Sequence, residues 1–192
     1  TEHFNHNESL QKSFFWLNLI AIDAHAHTQQ LEPTLQYIRQ SINLADNDEH
    51  LAQAKNKSIE ALNTLLKHFV SKQSFNEGLY VISAIAQHSS DHPLFAHSVN
   101  RFYNRWARFY WEQKQWADAT ATLEDYLIQP YLTEDLKDTH KNLSSAYYNW
   151  VIAELNNKNV SSAKAIAEHC EIKHYGLALC AKAKDAIKAT KM

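Results

Sequence analysis

Glycine and proline are nearly missing from this chain: 192 residues hold two of the first and three of the second. So few turn formers cannot serve the many tight turns of a sandwich or barrel, nor the strand–helix connections of a barrel enzyme. Long helices joined by few connections are what remains. Charge of one sign is also lacking. The formal net charge is −2, which excludes global attraction to nucleic acid or to an anionic membrane and leaves only local electrostatic recognition. Two cysteines, Cys170 and Cys180, fit neither a disulfide framework nor a CxxC motif and are expected to be ordinary small residues. They do not fix the compartment, and a cytoplasmic location is favoured over a periplasmic one. Long apolar runs are absent as well: the most apolar stretch, Phe14 to Ala26, is broken by Asn18 and Asp23 and is too short to span a bilayer, so no membrane insertion is expected. The first residue is Thr1 rather than Met, so the chain is expected to be a processed product or a piece of something longer.

Helical periodicity and breaks are what the chain does have. Apolar residues recur at helical spacing from Glu8 to about Thr28, and Glu32-Pro33 then opens a second helix to Leu44. Asp46-Asn47-Asp48 supplies capping side chains for a long helix through Phe69, followed by one from about Phe75 to Gln87. Ser89 to Pro93 is a turn cluster, after which helices are predicted over Leu94–Gln113 and Trp116–Ile128. Thr133-Glu134-Asp135 caps a helix ending near Asn157. Ser161–Cys170 is a short partner, and the alanine-rich segment from about Tyr175 to Ala189 closes the chain.

Within this alternation one cadence recurs. Tyr103-x2-Trp106-Ala107-x2-Tyr110 is followed by Ala119-x3-Leu123 and Pro130. Leu62-x2-Leu65-Leu66-x2-Phe69 with Gly78-x3-Ile82, and Tyr147-x2-Trp150-Val151-x2-Glu154 with Ala163-x3-Ala167, echo it at the same offsets. The region resembles the tetratricopeptide-repeat family. The resemblance implies an all-α fold, a right-handed αα superhelix of helix pairs in one helical-repeat domain over 1–192. Residues 1–47 would form a degenerate first pair, 48–173 three pairs, and 174–192 a C-terminal capping helix. Small residues at Gly78, Ala107, Ala119 and Ala163 then let helices approach, while Trp106, Tyr110, Trp116 and Leu123 fill the space between pairs.

Chemistry-bearing constellations are few. Asp23-x-His25-x-His27 looks like the metal signature of amidohydrolases, whose ligands converge only at a strand's period of two. On a helix the two histidines diverge by about 200°, so no metal site is expected there. His88 and His92 share i,i+4 spacing, but Pro93 biases His92 away from helical geometry. No nucleophile elbow, phosphate loop or cysteine-centred motif is present. No catalytic residue, metal or cofactor is therefore expected.

The candidate functional residues lie instead on one helix. Arg101, Arg105 and Arg108 fall within an arc of about 60°, opposite Val99, Phe102, Trp106, Phe109 and Tyr110. The repeat resemblance implies that the first helix of each pair lines a groove, and adds Asn63, Lys67, Asn104 and Tyr148 at matching positions; Trp111 flanks them. The expected function is non-catalytic binding of a protein or peptide, an acidic segment or a C-terminal carboxylate, because the guanidinium fork accepts a carboxylate bidentately. The alternatives are an accessory or oligomerisation domain of a larger enzyme or of a secretion or assembly factor, and a metal-dependent hydrolase using His25 and His27.

Overall fold

The computed structural model describes residues 2–133, 135–174 and 178–189, with side chains from Ser9 onward. Among the described residues every regular element is helical: α1 (Glu2–His27), α2 (Leu31–Leu44), α3 (Asp48–Lys72), α4 (Phe75–Ser89), α5 (Phe95–Glu112), α6 (Trp116–Leu127), α7 (Lys137–Asn156), α8 (Val160–Lys173) and α9 (Ala178–Ala189). The chain divides into two compact units, Thr1–Phe102 and Tyr103–Met192, the division falling within α5.

Four hairpin turns share one backbone solution. Gln29, Gln73, Lys114 and Lys158 each take a left-handed φ near 60°, at intervals of 44, 41 and 44 residues. Each follows the long first helix of a pair, and the next amide reaches back to a carbonyl five residues earlier: Gln30 to His25, Ser74 to Phe69, Gln115 to Tyr110 and Asn159 to Glu154. This closes the orphan carbonyls of the helix end. The second helix then starts at once with a large apolar residue, Leu31, Phe75, Trp116 or Val160. Five residues after each left-handed position stands a small buried one: Thr34, Gly78, Ala119 or Ala163. A small side chain there leaves room for a neighbouring helix, which at Gly78 is α5 through Phe102. The first pair therefore carries the same turn as the others, although its sequence matches the cadence poorly.

In the first unit α1 packs on α2 and α3, α2 also meets α3 and α4, and α3 pairs with α4. Phe15, Ile22, Leu35, Ile38, Leu62, Leu65 and Ile85 are almost wholly buried in this unit. In the second unit Tyr103 meets Tyr126 at 5.4 Å between rings and Trp111 meets Trp116 at 5.0 Å. That reversed order of contacts makes the end of α5 and α6 antiparallel neighbours, as the repeat cadence predicts. Farther along, α7 packs on α6, α8 and α9, and α9 also on α8. α9 thus meets α7 and α8 as α3 meets α1 and α2. Its buried side chains Cys180, Ala183 and Ile187 complete a core with Leu143, Tyr147, Val151, Ala163 and Cys170.

Several local expectations need correction. Pro33 lies two residues inside α2 and not at its first position, still within the turn where a missing N–H costs nothing. Asn47 does cap α3, its Oδ1 accepting from the His50 amide at 2.8 Å. α7 starts later than the Thr133–Asp135 sequence suggests, at Lys137, whose amide donates to Asp135 Oδ1. Glu134 of that expected cap and Tyr175, the expected start of the last helix, lie outside the described residues. On α5 the buried residues are Phe95, Ser98, Val99, Phe102, Tyr103 and Ala107, whereas Trp106, Phe109, Tyr110 and Trp111 are half-buried. The apolar face is therefore rotated towards Tyr103 relative to the sequence reading. The cysteines are a further correction: Cys170 of α8 and Cys180 of α9 form a disulfide, with Cα atoms 5.7 Å apart. Ten residues of separation are enough to turn one helix end back on the next, which spacing alone does not disclose.

Candidate functional site

A cleft of about 480 Å³ lies between α1 and α3, the first helices of adjacent pairs in the first unit. It is lined by Asp23, Ala26 and His27 from one helix and Lys57, Glu60, Ala61, Asn63 and Thr64 from the other. Ala26 and Ala61 are buried and form an apolar floor. Above them Lys57 Nζ donates to Asp23 Oδ2 at 2.8 Å and to Glu60 Oε2 at 2.6 Å. These bonds, Asp23 first, raise the lysine's pKa above its ordinary value despite the opposing effect of burial. Two carboxylates against one ammonium leave the cleft with a local charge of −1 near neutral pH. Asn63 is half-buried and donates one amide hydrogen to the Ile59 carbonyl at 3.0 Å. Its Oδ1 makes no hydrogen bond among the described residues.

The Asp-x-His-x-His segment contributes to this cleft in part, and as helix. Asp23 and His27 line it. His25 turns elsewhere: its Nδ1 lies 2.7 Å from Gln30 Oε1 and its ring stacks on Tyr37 at 5.2 Å. The two histidines thus do not converge, and among the described residues no group of three His, Cys, Asp or Glu side chains is placed to hold a metal ion.

The other expected binding residues divide by role. Lys67 is exposed on α3, and Arg101, Arg105 and Arg108 are exposed on α5. Arg108 Nε lies 2.9 Å from Glu112 Oε1, with the two side chains 78% and 61% exposed. An i,i+4 pair that open to solvent contributes only about 0.3–0.5 kcal/mol, so it adds little to the fold. Asn104 is engaged internally: it donates to Thr139 Oγ1 at 3.1 Å and accepts from Asn142 at 2.9 Å, joining α5 to α7. Trp111 rests edge-on against Trp116, and Tyr148 packs against the second unit's core. These three side chains serve packing or helix pairing within the fold.

The most strongly built polar cluster is one that sequence reasoning missed. Glu124 of α6 accepts from Tyr147 Oη at 2.5 Å, His174 Nε2 at 2.8 Å and Lys173 Nζ at 2.9 Å, with His169 Nε2 3.6 Å away. Burial works against its charge, but the bonds from Tyr147, His174 and Lys173 outweigh that and hold the carboxyl at about 2. Burial first and then the hydrogen bond to Glu124 push the Tyr147 hydroxyl well above its ordinary range. The cluster ties α6, α7 and the end of α8 together. Its other members lie 23 to 50 residues from Glu124 in sequence, and no local pattern announces such a junction.

Its acid response follows from the sign of the shift. A carboxyl held at about 2 rather than 4.5 stabilises the fold fully above pH 4.5, and that contribution is lost as pH falls from 4.5 to 2. With allowance for solvent screening of a partly exposed group, the loss is about 1–2 kcal/mol. Urea unfolding at pH 5.5 and 2.5 is expected to show this difference in excess over the Glu124→Gln variant. Equal pH slopes in the two proteins would remove Glu124 from the account.

No helix among the described residues is long and apolar enough to cross a membrane. No protein-family model, curated protein or solved structure matches the chain.

Proposed function

We propose that the chain is a non-catalytic scaffold, a right-handed superhelix of tetratricopeptide-like pairs capped by α9, that binds a protein or peptide along the faces of its first helices. The observation that carries this reading is the cleft between α1 and α3. It lies between the first helices of two adjacent pairs, has an apolar floor, and presents Asn63, Thr64 and His27 for hydrogen bonding. A bound backbone needs such paired donors and acceptors.

The cleft's own carboxylates disfavour an acidic ligand there. An acidic segment or C-terminal carboxylate belongs with the arginines of α5, where Arg101, Arg105 and Arg108 are exposed. Arg101 and Arg105 make no ion pair among the described residues. Each charge-assisted bond to such a ligand contributes about 1.5–3 kcal/mol where partly shielded, and binding weakens with salt.

The test is capture of a partner by the immobilised chain. Replacing Arg105 and Arg108 together by Ala is expected to abolish capture while leaving the melting temperature nearly unchanged, since both side chains are exposed. Retention of the same partner by the double variant would defeat the arginine assignment.

A further inference from the structure

α1 carries two apolar faces, of which the fold buries one. Asn18, Ile22, Phe15, Ala26 and Leu19 point into the first unit. On the other side Ile20, Ser13, Ala24, Leu17, Leu10, Ala21 and Phe14 share an arc of about 120° at 100° per residue, and no charged side chain falls within it. Leu10, Phe14, Leu17 and Ile20 are 47%, 57%, 58% and 65% exposed. From Leu10 to Ala24 the stripe runs about 21 Å along the helix. Its spacing at 10, 14, 17, 21 and 24 alternates four and three, the seam of a paired helix.

We infer that this stripe is the interface of a homodimer in which α1 packs antiparallel against α1 of a second copy, with Leu17 at the two-fold axis. Two observations favour a second copy as the occupant. An antiparallel pair about Leu17 sets Leu10 opposite Ala24 and Phe14 opposite Ile20, so the exposed apolar side chains of each copy meet those of the other. The stripe is also uncharged, so two identical faces meet without opposing like charges. Its area fits too. Aromatic side chains bury on the order of 150–250 Å² each; with leucine and isoleucine taken towards the lower end of that range, these exposures, with Trp16 at the flank 42% exposed, leave roughly 500 Å². A homodimer interface of about 800 Å² per partner, about 65% apolar, needs roughly that much.

Leu17 lies about 120° and about 80° around α1 from Asp23 and His27, so substitutions at Leu17 leave the α1/α3 cleft intact. Light scattering coupled to gel filtration is expected to give twice the 22.2 kDa chain mass at micromolar concentration. Leu17→Glu sets two carboxylates against each other at the axis and is expected to give monomers with unchanged helical circular dichroism. Leu17→Lys is expected to do the same. Mixing the two variants is expected to restore a dimer, since unlike charges then meet at the axis. A wild-type chain that stays monomeric at hundreds of micromolar overturns the inference and leaves the stripe to a different protein. A dimer that survives Leu17→Glu, or variants that fail to complement each other, overturns it equally.

Discussion

Replacing Phe102 by Ala is expected to cost about 3–5 kcal/mol, the loss typical of a deleted buried aromatic ring, and to give the largest drop in denaturant midpoint of any single change considered. The ring is 2% exposed and lies near Phe75, with centroids 6.4 Å apart. It also occupies the space that a side chain at position 78 would need. A Cβ on Gly78 would overlap the Cε2 and Cζ atoms of Phe102, so something must shift to admit it. Gly78 is the small residue in the first turn of α4, and its φ is not left-handed. Its size is what matters there, not its backbone freedom.

Gly78→Ala therefore sets two effects against each other. Helix propensity favours alanine by about 1 kcal/mol, whereas overpacking a buried ring costs about 1–3 kcal/mol. Phe102 cannot swing into solvent, so net destabilisation is expected. Pairing Gly78→Ala with Phe102→Leu makes room for the methyl group, and the double variant is expected to be more stable than the sum of the two single losses predicts. Additive losses in urea melts would show that Gly78 and Phe102 do not share that space.

The same positions show how much of the fold was legible. Gly78, Ala119 and Ala163 stand out in sequence because small residues punctuate otherwise large apolar patterns, and all three are buried at hairpin turns. The turns themselves were not legible in detail. Left-handed backbone is ordinarily signalled by glycine or asparagine, whereas here Gln29, Gln73, Lys114 and Lys158 adopt it. Their side chains carry no mark of that conformation; the helix ends on either side impose it. Helix faces were readable to within about one residue's rotation. Tyr103 and Ala107 displaced Trp106 and Tyr110 from the most buried line because α6 presents Tyr126 to that side.

The candidate sites were legible only where chemistry and local spacing coincide. Exposed arginines three and four apart on α5 follow from periodicity alone. By contrast, the α1/α3 cleft joins Asp23 to Lys57, and the Glu124 cluster joins α6 to the end of α8. Both depend on how helices stack, which one sequence does not fix. Asn104 illustrates the limit. Its position matches a groove residue of the repeat family, yet α7 supplies Thr139 and Asn142 to occupy its carboxamide.

Reducing the Cys170–Cys180 bond is expected to lower stability by about 3 kcal/mol, the chain entropy regained when a loop of this size opens. Both sulfurs are buried, in a core where α9 meets α7 and α8, so losing the link frees the capping helix first. Serine is a poor probe at these positions, because it adds a hydroxyl to an apolar core. The informative comparison is Cys170→Ala with Cys180→Ala. Dithiothreitol is expected to lower the urea midpoint of the wild-type chain and to leave that of the double variant unchanged. Alkylation of the unfolded, unreduced protein is expected to find no thiol. An unmoved wild-type midpoint, or two alkylated cysteines, would show that the bond does not form in solution. A confirmed bond also bears on location. Such links persist in oxidising compartments and are rare in the reducing cytosol, so it would turn the compartment expectation away from the cytoplasm, with Glu124 and its partners holding the neighbouring helix end in place there.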